Sequence, residues 1–559
     1  MKLLIVGGVA GGASAAARAR RLSENAHIVL IERGPDVSFA NCGLPYYIGG
    51  EIADREKLLV VTPERLRSRY NLDVRVRSSV EAINRPAKRV RVRDLVSGRE
   101  YEETYDKLIL APGAAPIRPP ISGIDLPGVF TLRNLEDMDR IMRKLHDGVR
   151  QAVVVGAGFI GLELVENLVR REIGVTVVEL QDQILPPFDK EMTTPLAEHV
   201  KSKGVDLRLG ESATAFDRAP DGLAVRLKSG EELAAQLVIV GVGVRPENKL
   251  AVDAGLEVGP RGGIRVNDHL QTSDPDIYAV GDAIEVKDFV TGEPTQVPLA
   301  GPANRQGRIA ADNVFGRPSR YRGTQGTAIV RVFDRTAAIT GASEKTLRRA
   351  KLAYQKVYVH PSHHATYYPG AESMTLKLLF DADSGKVLGA QAVGAAGVDK
   401  RIDVLAVAIQ AGMTVYDLEE MELAYAPQFG SAKDPVNMAG FVAAGMLRGD
   451  HPQIDVASLL ESPTGERPFL LDVRTAHEFS HGHIPGAMNI PVDELRSRIE
   501  ELPHDREIAA YCQVGQRGYL ATRILRAAGL EAANVSGGYK TYAMLNSKTE
   551  AVTAVSPNR

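Results

Sequence analysis

The sequence predicts an α/β chain of four parts: two tandem doubly wound domains, an α+β segment and a final, independent α/β unit. Three observations carry that expectation. Short apolar strands run into glycine-rich turns twice, at Leu3–Val6 and again at Ala152–Val155. Alternating stretches, Met374–Phe380 and Val387–Val393, read as antiparallel strands. A last strand, Ile508–Tyr511, delivers a cysteine into a glycine-containing loop ahead of a helix. A length of 559 residues has room for about three to four domains.

Composition narrows the partners. Apolar residues make up 44% and charged residues 25%, the balance of an ordinary soluble globular protein. A net charge of −2 argues against a general nucleic-acid binder, and 5% aromatic residues without Trp against a base-stacking platform. Two cysteines far apart make no disulfide framework, so both are expected as free thiols of a reducing cytosol. The apolar N-terminal stretch lacks a charged leader and cleavage site and reads as a first strand. No apolar run reaches the length of a membrane span. The expectation is a cytoplasmic protein acting on small molecules.

In chain order, strand Leu3–Val6 meets the turn Gly7-Gly8-Val9-Ala10-Gly11-Gly12, a helix is expected from Ala13, and strand Ile28–Ile31 ends in Glu32. Strand, glycine turn, helix and an acid about 20 residues on form the dinucleotide fingerprint, although Val9 stands where its second glycine belongs. A carboxylate at Glu32, with Arg33 beside it, can hold ribose hydroxyls. Ser14, Arg18 and Arg21 share one face of the helix, either a solvated basic face or a track for an anionic substrate tail. Next comes Ser38-Phe39-Ala40-Asn41-Cys42-Gly43-Leu44-Pro45-Tyr46. A lone cysteine is commonly a small buried hydrophobe, but this one lies on a loop beside a cofactor unit and reads as a redox thiol facing a flavin. Strand Leu108–Leu110 leads to Ala111-Pro112-Gly113, and a Pro-rich linker runs from Pro116 to Pro120.

The second fingerprint is complete: Gly156-Ala157-Gly158-Phe159-Ile160-Gly161 opens a helix at Leu162, and strand Val175–Val178 ends in Glu179. An acid there repels a 2′-phosphate, which favours NADH over NADPH. Two such folds in tandem imply FAD first and NADH second. Leu237–Val240 and Gly241-Val242-Gly243 return the chain to the first domain, where Gly281-Asp282 follows a strand. Asp282 is placed either to accept from a cofactor hydroxyl or to cap a helix. Beyond Gly323 come the alternating strands, a helix at Lys400–Ala411, and Tyr367, Tyr368, Tyr425 and Lys433. The last unit begins with strand Phe469–Val473, bearing Asp472 and Arg474. Its Cys512, at a strand end and a helix N-terminus, is expected to meet several inward N–H groups that stabilise a thiolate or persulfide, with Arg517 closing the loop. Both cysteines are expected at electropositive sites. The stretch Asn546–Arg559 lacks periodicity and is expected to fray.

Residues 1 to about 445 resemble the flavin-dependent pyridine nucleotide–disulfide oxidoreductases, and among them the coenzyme A-disulfide and NADH-dependent persulfide reductases. The carriers are SFANCGLPY, TSDPDIYAVGD, PLAGPANRQGR with Ala300, YYPGA and AYAPQFGSAKDPVN. LLDVR, GHIPGAMNIP and CQVGQRG resemble a rhodanese domain. The resemblance implies an FAD domain at 1–111 and 244–322, an NAD(H) domain at 112–243, a dimerisation domain at 323–445, a linker at 446–460, a rhodanese domain at 461–546 and a tail at 547–559. It implies that Cys42 is the single redox cysteine: position 47, where a dithiol enzyme has its second Cys, is Tyr47, so Cys42 forms a mixed disulfide with a thiol such as coenzyme A. By the same resemblance Asn41 also belongs to the cofactor site. Ser14, Arg18, Arg21, Ser38, Asn41, Tyr70, His364 and Lys433 bind coenzyme A, and Tyr367 and Tyr425 reach the thiol from the partner of a homodimer. The six-residue loop Cys512–Arg517 has the length associated with sulfur transfer rather than phosphate or arsenate chemistry. The implied activity is reduction of coenzyme A persulfide, polysulfide or coenzyme A disulfide, with Cys512 carrying sulfane sulfur. The alternatives are an NADH oxidase or peroxidase acting through a Cys42 sulfenic acid, which Ala10 disfavours because those relatives carry His in the turn, and a non-catalytic redox sensor.

Overall fold

In a computed structural model, which describes residues 1–463 and 467–546, the chain forms two compact units. The first comprises Met1–Leu180 and Leu209–Gly326, the second Gln181–Arg208 and the chain from Thr327 onward. The expected tail, 547–559, lies outside the described residues. Among the described residues no helix is long and apolar enough to cross a membrane.

The main elements of the first unit start with β1 (Lys2–Val6), α1 (Ala10–Leu22), β2 (His27–Ile31), α2 (Leu44–Ile48), β3 (Asp73–Arg75) and β4 (Lys107–Leu110). They continue with β5 (Gln151–Val155), α3 (Phe159–Val169), β6 (Gly174–Glu179), β7 (Leu237–Val240), β8 (Ile277–Ala279) and α4 (Ala300–Val314). One all-parallel sheet runs β8-β4-β1-β2-β3, and a second has β6, β5 and β7 side by side. After a polar first residue, Lys2 and Gln151, their central strands are apolar and buried, as strands covered on both faces must be. Both fingerprint helices start three residues earlier than expected, because the last residues of each glycine turn are already helical.

The second unit holds β9 (Ala328–Val332), β10 (Arg335–Gly341), β11 (Tyr354–Val359), β12 (Met374–Asp381), β13 (Val387–Gly394), α5 (Val398–Ala411) and α6 (Pro435–Leu447). Then follow β14 (Gln453–Ile454), β15 (Phe469–Asp472), α7 (Ala476–Ser480), β16 (Met488–Asn489), β17 (Ile508–Tyr511), α8 (Gln516–Ala527), β18 (Ala532–Val535) and α9 (Gly538–Asn546). An antiparallel sheet runs β9-β10-β13-β12-β11, and a parallel one runs β14-β18-β17-β15-β16. The segment 446–460 is not a free linker: α6 extends to Leu447, β14 pairs with β18, and Val456 and Leu459 lie in the core of the last domain.

The two sheets of this unit are joined through β11. His360, just past its end, is buried, and its ring bridges Thr375 of β12 and Thr541 of α9 at 2.9 Å each. Lys356 pairs with Asp455 at 3.2 Å. Gly537 turns with φ +68°, and a Cβ there would meet Tyr358 Cβ at 2.9 Å. Beneath β12 the buried Lys377 ammonium sits among Asp189, Glu191 and Glu344, which satisfies an otherwise untenable interior charge.

Candidate active site

Register levels the carboxyl ends of the first sheet: Val6 lies beside Ile31 and Leu110, and Leu110 beside Ala279. The turn Gly7–Gly12, Glu32, Ala111–Gly113 and Gly281–Asp282 therefore meet at one edge, where doubly wound sheets bind nucleotides. Gly12 closes the turn, since a Cβ there would lie 1.8 Å from the Gly7 carbonyl oxygen. Val9 is the N-cap of α1 without a side-chain cap, and the first turn holds no acid, so its N–H groups suit a pyrophosphate. The Glu32 carboxylate accepts the N–H groups of Gly8 and Gly34, each at 2.7 Å, and keeps lone pairs for a ribose. Asp282 sits in a single turn, Gly281–Ala283, where its side chain caps nothing, so the capping alternative falls. Burial raises its carboxyl against the opposing pull of Arg133. Ala300 opens α4, which packs so closely on α1 that a Cβ on Gly307 would meet the Gly11 carbonyl at 2.2 Å. Arg33 is paired with Glu247 at 3.1 Å, and Asn41 Nδ2 donates to the Arg133 carbonyl at 3.2 Å. The arrangement fits FAD.

The second sheet repeats the device. Val155 lies level with Val178 and Val240, which gathers the Gly156–Gly161 turn, Glu179 and Gly243. A Cβ on Gly161 would lie 2.1 Å from the Gly156 carbonyl, whereas one on Gly158 would meet nothing within 4 Å. That open position admits a pyrophosphate against the backbone, ahead of Phe159 and Ile160 at the start of α3. Glu179 is buried, and its Oε2 accepts the Ala157 N–H at 2.7 Å. A 2′-phosphate would meet that carboxylate, so the site fits NADH.

Cys42 lies in a short helical turn, Asn41–Gly43, that runs directly into α2. The stretch is tied to the first glycine turn by the Ser38 N–H, which donates to the Gly8 carbonyl at 2.9 Å, with Ser38 held at φ 48°. Cys42 is exposed at the surface, yet the protein around it still withdraws water from the sulfur: burial pushes the thiol up, and the Glu163 and Asp282 carboxylates push it further. The expected electropositive setting is therefore absent at Cys42, where the charges acting on the sulfur are negative. Of the basic face on α1, Arg18 is engaged with Asp312 at 2.6 Å and Ser14 with Asn304, which leaves Arg21 as the exposed cation of the three expected residues. Tyr70 is half-buried, and its carbonyl accepts from Arg20 at 2.8 Å.

In the second unit the hydroxyls of Tyr367 and Tyr425 meet at 2.7 Å on an exposed surface. That bond pushes the Tyr367 phenol up, so it stays a proton donor. Lys433 is exposed. His364 departs from expectation: it is buried, its Nδ1 faces the Ala365 carbonyl at 2.9 Å, and its ring stands edge-on to Tyr368, so it is packed rather than presented to a ligand.

Cys512 follows β17 and is buried under its loop, its sulfur accepting the Gly515 N–H at 3.2 Å. Among the inward N–H groups expected, Gly515 is the one that bonds the sulfur in the described residues. The N–H groups of Tyr539 and Lys540 donate to the carbonyls of Cys512 and Gln513 at 2.8 and 3.0 Å, fixing the loop to the start of α9. Arg517 pairs with Glu478 of α7 at 2.6 Å, which holds the Glu478 carboxyl at about 2, and its charge interacts with that of Cys512. Behind the loop, buried Asp472 and Arg474 form a two-pronged pair, and Arg474 continues to Gln513 at 3.1 Å. Sequence reasoning missed Glu478, although Thr475 and Glu478 have the spacing of the capping box they form. It also missed Glu163 and Tyr46, whose carboxylate and hydroxyl meet at 3.2 Å.

The profile of the pyridine nucleotide-disulphide oxidoreductases matches residues 1–307, that of their dimerisation domain 327–435, and that of rhodanese-like domains 455–545. The coenzyme A disulfide reductase of Staphylococcus aureus (strain bovine RF122 / ET3-1) is 38% identical over 444 residues, 79% of this chain and 99% of that protein. The crystal structure of reduced CoADR-RHD from Bacillus anthracis superposes with a TM-score of 0.95 at 50% identity, covering 97% of this chain and 98% of that one. The NAD-dependent persulfide reductase of A. fulgidus follows with a TM-score of 0.90 at 38% identity, covering 97% and 100%. Two glycine turns at two levelled strand ends, a thiol beside the first, and these likenesses along nearly all of its length place the chain in the pyridine nucleotide-disulphide oxidoreductase family, with a rhodanese-like domain following the dimerisation domain.

Proposed function

We propose that the chain is an FAD-dependent reductase that uses NADH to reduce coenzyme A persulfide, polysulfide or coenzyme A disulfide at Cys42, while Cys512 carries sulfane sulfur. The observation that carries this reading is the solitude of Cys42: the chain has one other cysteine, Cys512, in the rhodanese-like domain, so the disulfide that Cys42 cycles through is made with an external thiol. The names of the two solved relatives and of the staphylococcal enzyme support the substrate class.

FAD, held at the Gly7–Gly12 turn and Glu32, would supply the route by which two electrons of NADH reach the Cys42 disulfide. The protein's part is to hold and position. The Cys42 thiolate attacks the inner sulfur of a coenzyme A persulfide, forming Cys42–S–S–CoA and releasing hydrosulfide; two electrons then cleave that bond to the Cys42 thiolate and coenzyme A thiolate. Tyr367 and Tyr425, contributed by the partner of a homodimer, protonate the leaving sulfur, a role that their hydroxyl pair supports. Arg21, Ser38 and Lys433 hold the coenzyme A arm. The Gly515 N–H and Arg517 stabilise the anion of a Cys512 persulfide. The match to a dimerisation domain supports the dimer, and two free thiols support a reducing, cytoplasmic setting.

The test is the mass of the purified protein under non-reducing conditions, followed by NADH turnover with coenzyme A persulfide. One added coenzyme A, lost with dithiothreitol and absent from Cys42→Ser, is expected. Peroxide-dependent turnover exceeding that with persulfide would turn the reading to a peroxidase.

A further inference from the structure

The charges around Cys42 pose a question that the proposed chemistry leaves open: what allows a thiol among carboxylates to ionise. The helix after the cysteine turn, α2, is clamped to α3. A Cβ on Gly49 would lie 1.9 Å from Asn167 Oδ1, and Arg171 of the segment after α3 donates to the Ile48 carbonyl. This close approach sets Tyr46, four residues past the thiol, against Glu163, whose Oε1 accepts the Tyr46 hydroxyl at 3.2 Å. Glu163 makes no ion pair among the described residues. The nearby cation, Arg170, is engaged with Glu51 at 3.0 Å and Glu166 at 3.3 Å. The Asp282 carboxylate also acts on the sulfur, and Arg133, the cation that opposes it, is paired with Glu247 at 2.7 Å.

We propose that Glu163 is a positioning residue that sets the ionisation of Cys42: the two acids share a proton, and Tyr46 adjusts which of them holds it. Ionised Glu163 disfavours the thiolate, and protonated Glu163 permits it. Burial places the Glu163 carboxyl at about 7, so the exchange falls near neutral pH. When the Cys42 mixed disulfide takes up two electrons, its S–S bond breaks and negative charge appears on the Cys42 sulfur. Glu163 then takes one proton from solvent, which keeps the site from holding two adjacent anions. The Tyr46 hydroxyl favours the ionised carboxylate, so its removal keeps Glu163 protonated to higher pH.

This inference rests on Cys42 as the reacting thiol, but its test does not require turnover. FAD-loaded protein carrying Cys512→Ser, so that Cys42 is the one remaining thiol, is reduced with dithiothreitol, desalted and alkylated with iodoacetamide from pH 6 to 10, flavin absorbance reporting the fold. Glu163→Gln is expected to move the alkylation midpoint down by roughly half a unit or more, about a threefold gain in thiolate at fixed pH. Tyr46→Phe is expected to shift the profile the same way at neutral pH, and Glu163→Asp to restore the wild-type direction. A midpoint unchanged or raised in Glu163→Gln overturns the proposal, as does an Asp variant that behaves like Gln. If Glu163→Gln loses flavin, Tyr46→Phe decides alone, an unshifted neutral-pH rate counting against it. Failure of the persulfide activity with these shifts intact would refute the substrate and leave the Glu163–Cys42 coupling standing.

Discussion

Glu179 closes β6 with one carboxylate oxygen on the Ala157 N–H, so it shapes the second glycine turn. Glu179→Ala should shrink the preference for NADH over NADPH by about 1–3 kcal/mol, read as the ratio of kcat/KM values. An unchanged ratio would remove Glu179 from cofactor choice. At the tyrosine pair, each single Phe variant should lose part of the activity, because the remaining hydroxyl can still donate. The Tyr367/Tyr425 double Phe variant should fall by about 10²–10⁴ in persulfide reduction with flavin content retained. Full activity in the double variant would exclude the proton-donor role. These residues were legible in the sequence to different degrees. Glu179 could be read from its spacing after a glycine turn. Tyr367 and Tyr425 are 58 positions apart, and nothing in that spacing brings their hydroxyls together; the family resemblance supplied the pair. Glu163 is one of two acids on α3, and its meaning lies in the approach of α2, which spacing does not encode.

Among elements, strand, glycine turn and helix were readable twice, because an apolar run buried on both faces and a turn that only glycine can close each leave a strong local mark. The segment 446–460 was not readable. β14 has two residues, too few for a period of alternation to show, and its place is set by pairing with β18, whose Asn534 is 81 positions past Gln453. His360 shows what such long-range joints do to stability. Burial and the nearby Lys540 charge hold it at about 3, far below its ordinary 6.5, so the folded state keeps it neutral. Its contribution is whole above pH 6.5 and is lost as pH falls from 6.5 towards 3, since only the unfolded chain readily takes up the proton there. Buried His451, held at about 4, acts in the same direction. Melting of the second unit should therefore drop across that window, and His360→Gln should flatten the drop. Parallel curves for the two proteins would remove His360 from the joint.

At the scale of the whole molecule the two cysteines should separate cleanly. Cys42→Ser should still pass electrons from NADH to FAD once, while steady-state reduction of persulfide collapses for want of an acceptor sulfur. Cys512→Ser should keep reduction of small coenzyme A-bound substrates and lose sulfur transfer from a bulky donor, since a serine oxygen holds no persulfide. Loss of both activities in Cys512→Ser, with flavin intact, would make relay from Cys512 obligatory. The loop that holds Cys512 is fixed to α9, and α9 to the antiparallel sheet through Thr541 and His360. A sulfur atom on that loop has no swinging arm beneath it. Delivery then becomes a matter of courier traffic: the rate at which sulfur leaves Cys512 should rise with the concentration of a free thiol carrier and level off when every docked loop is served.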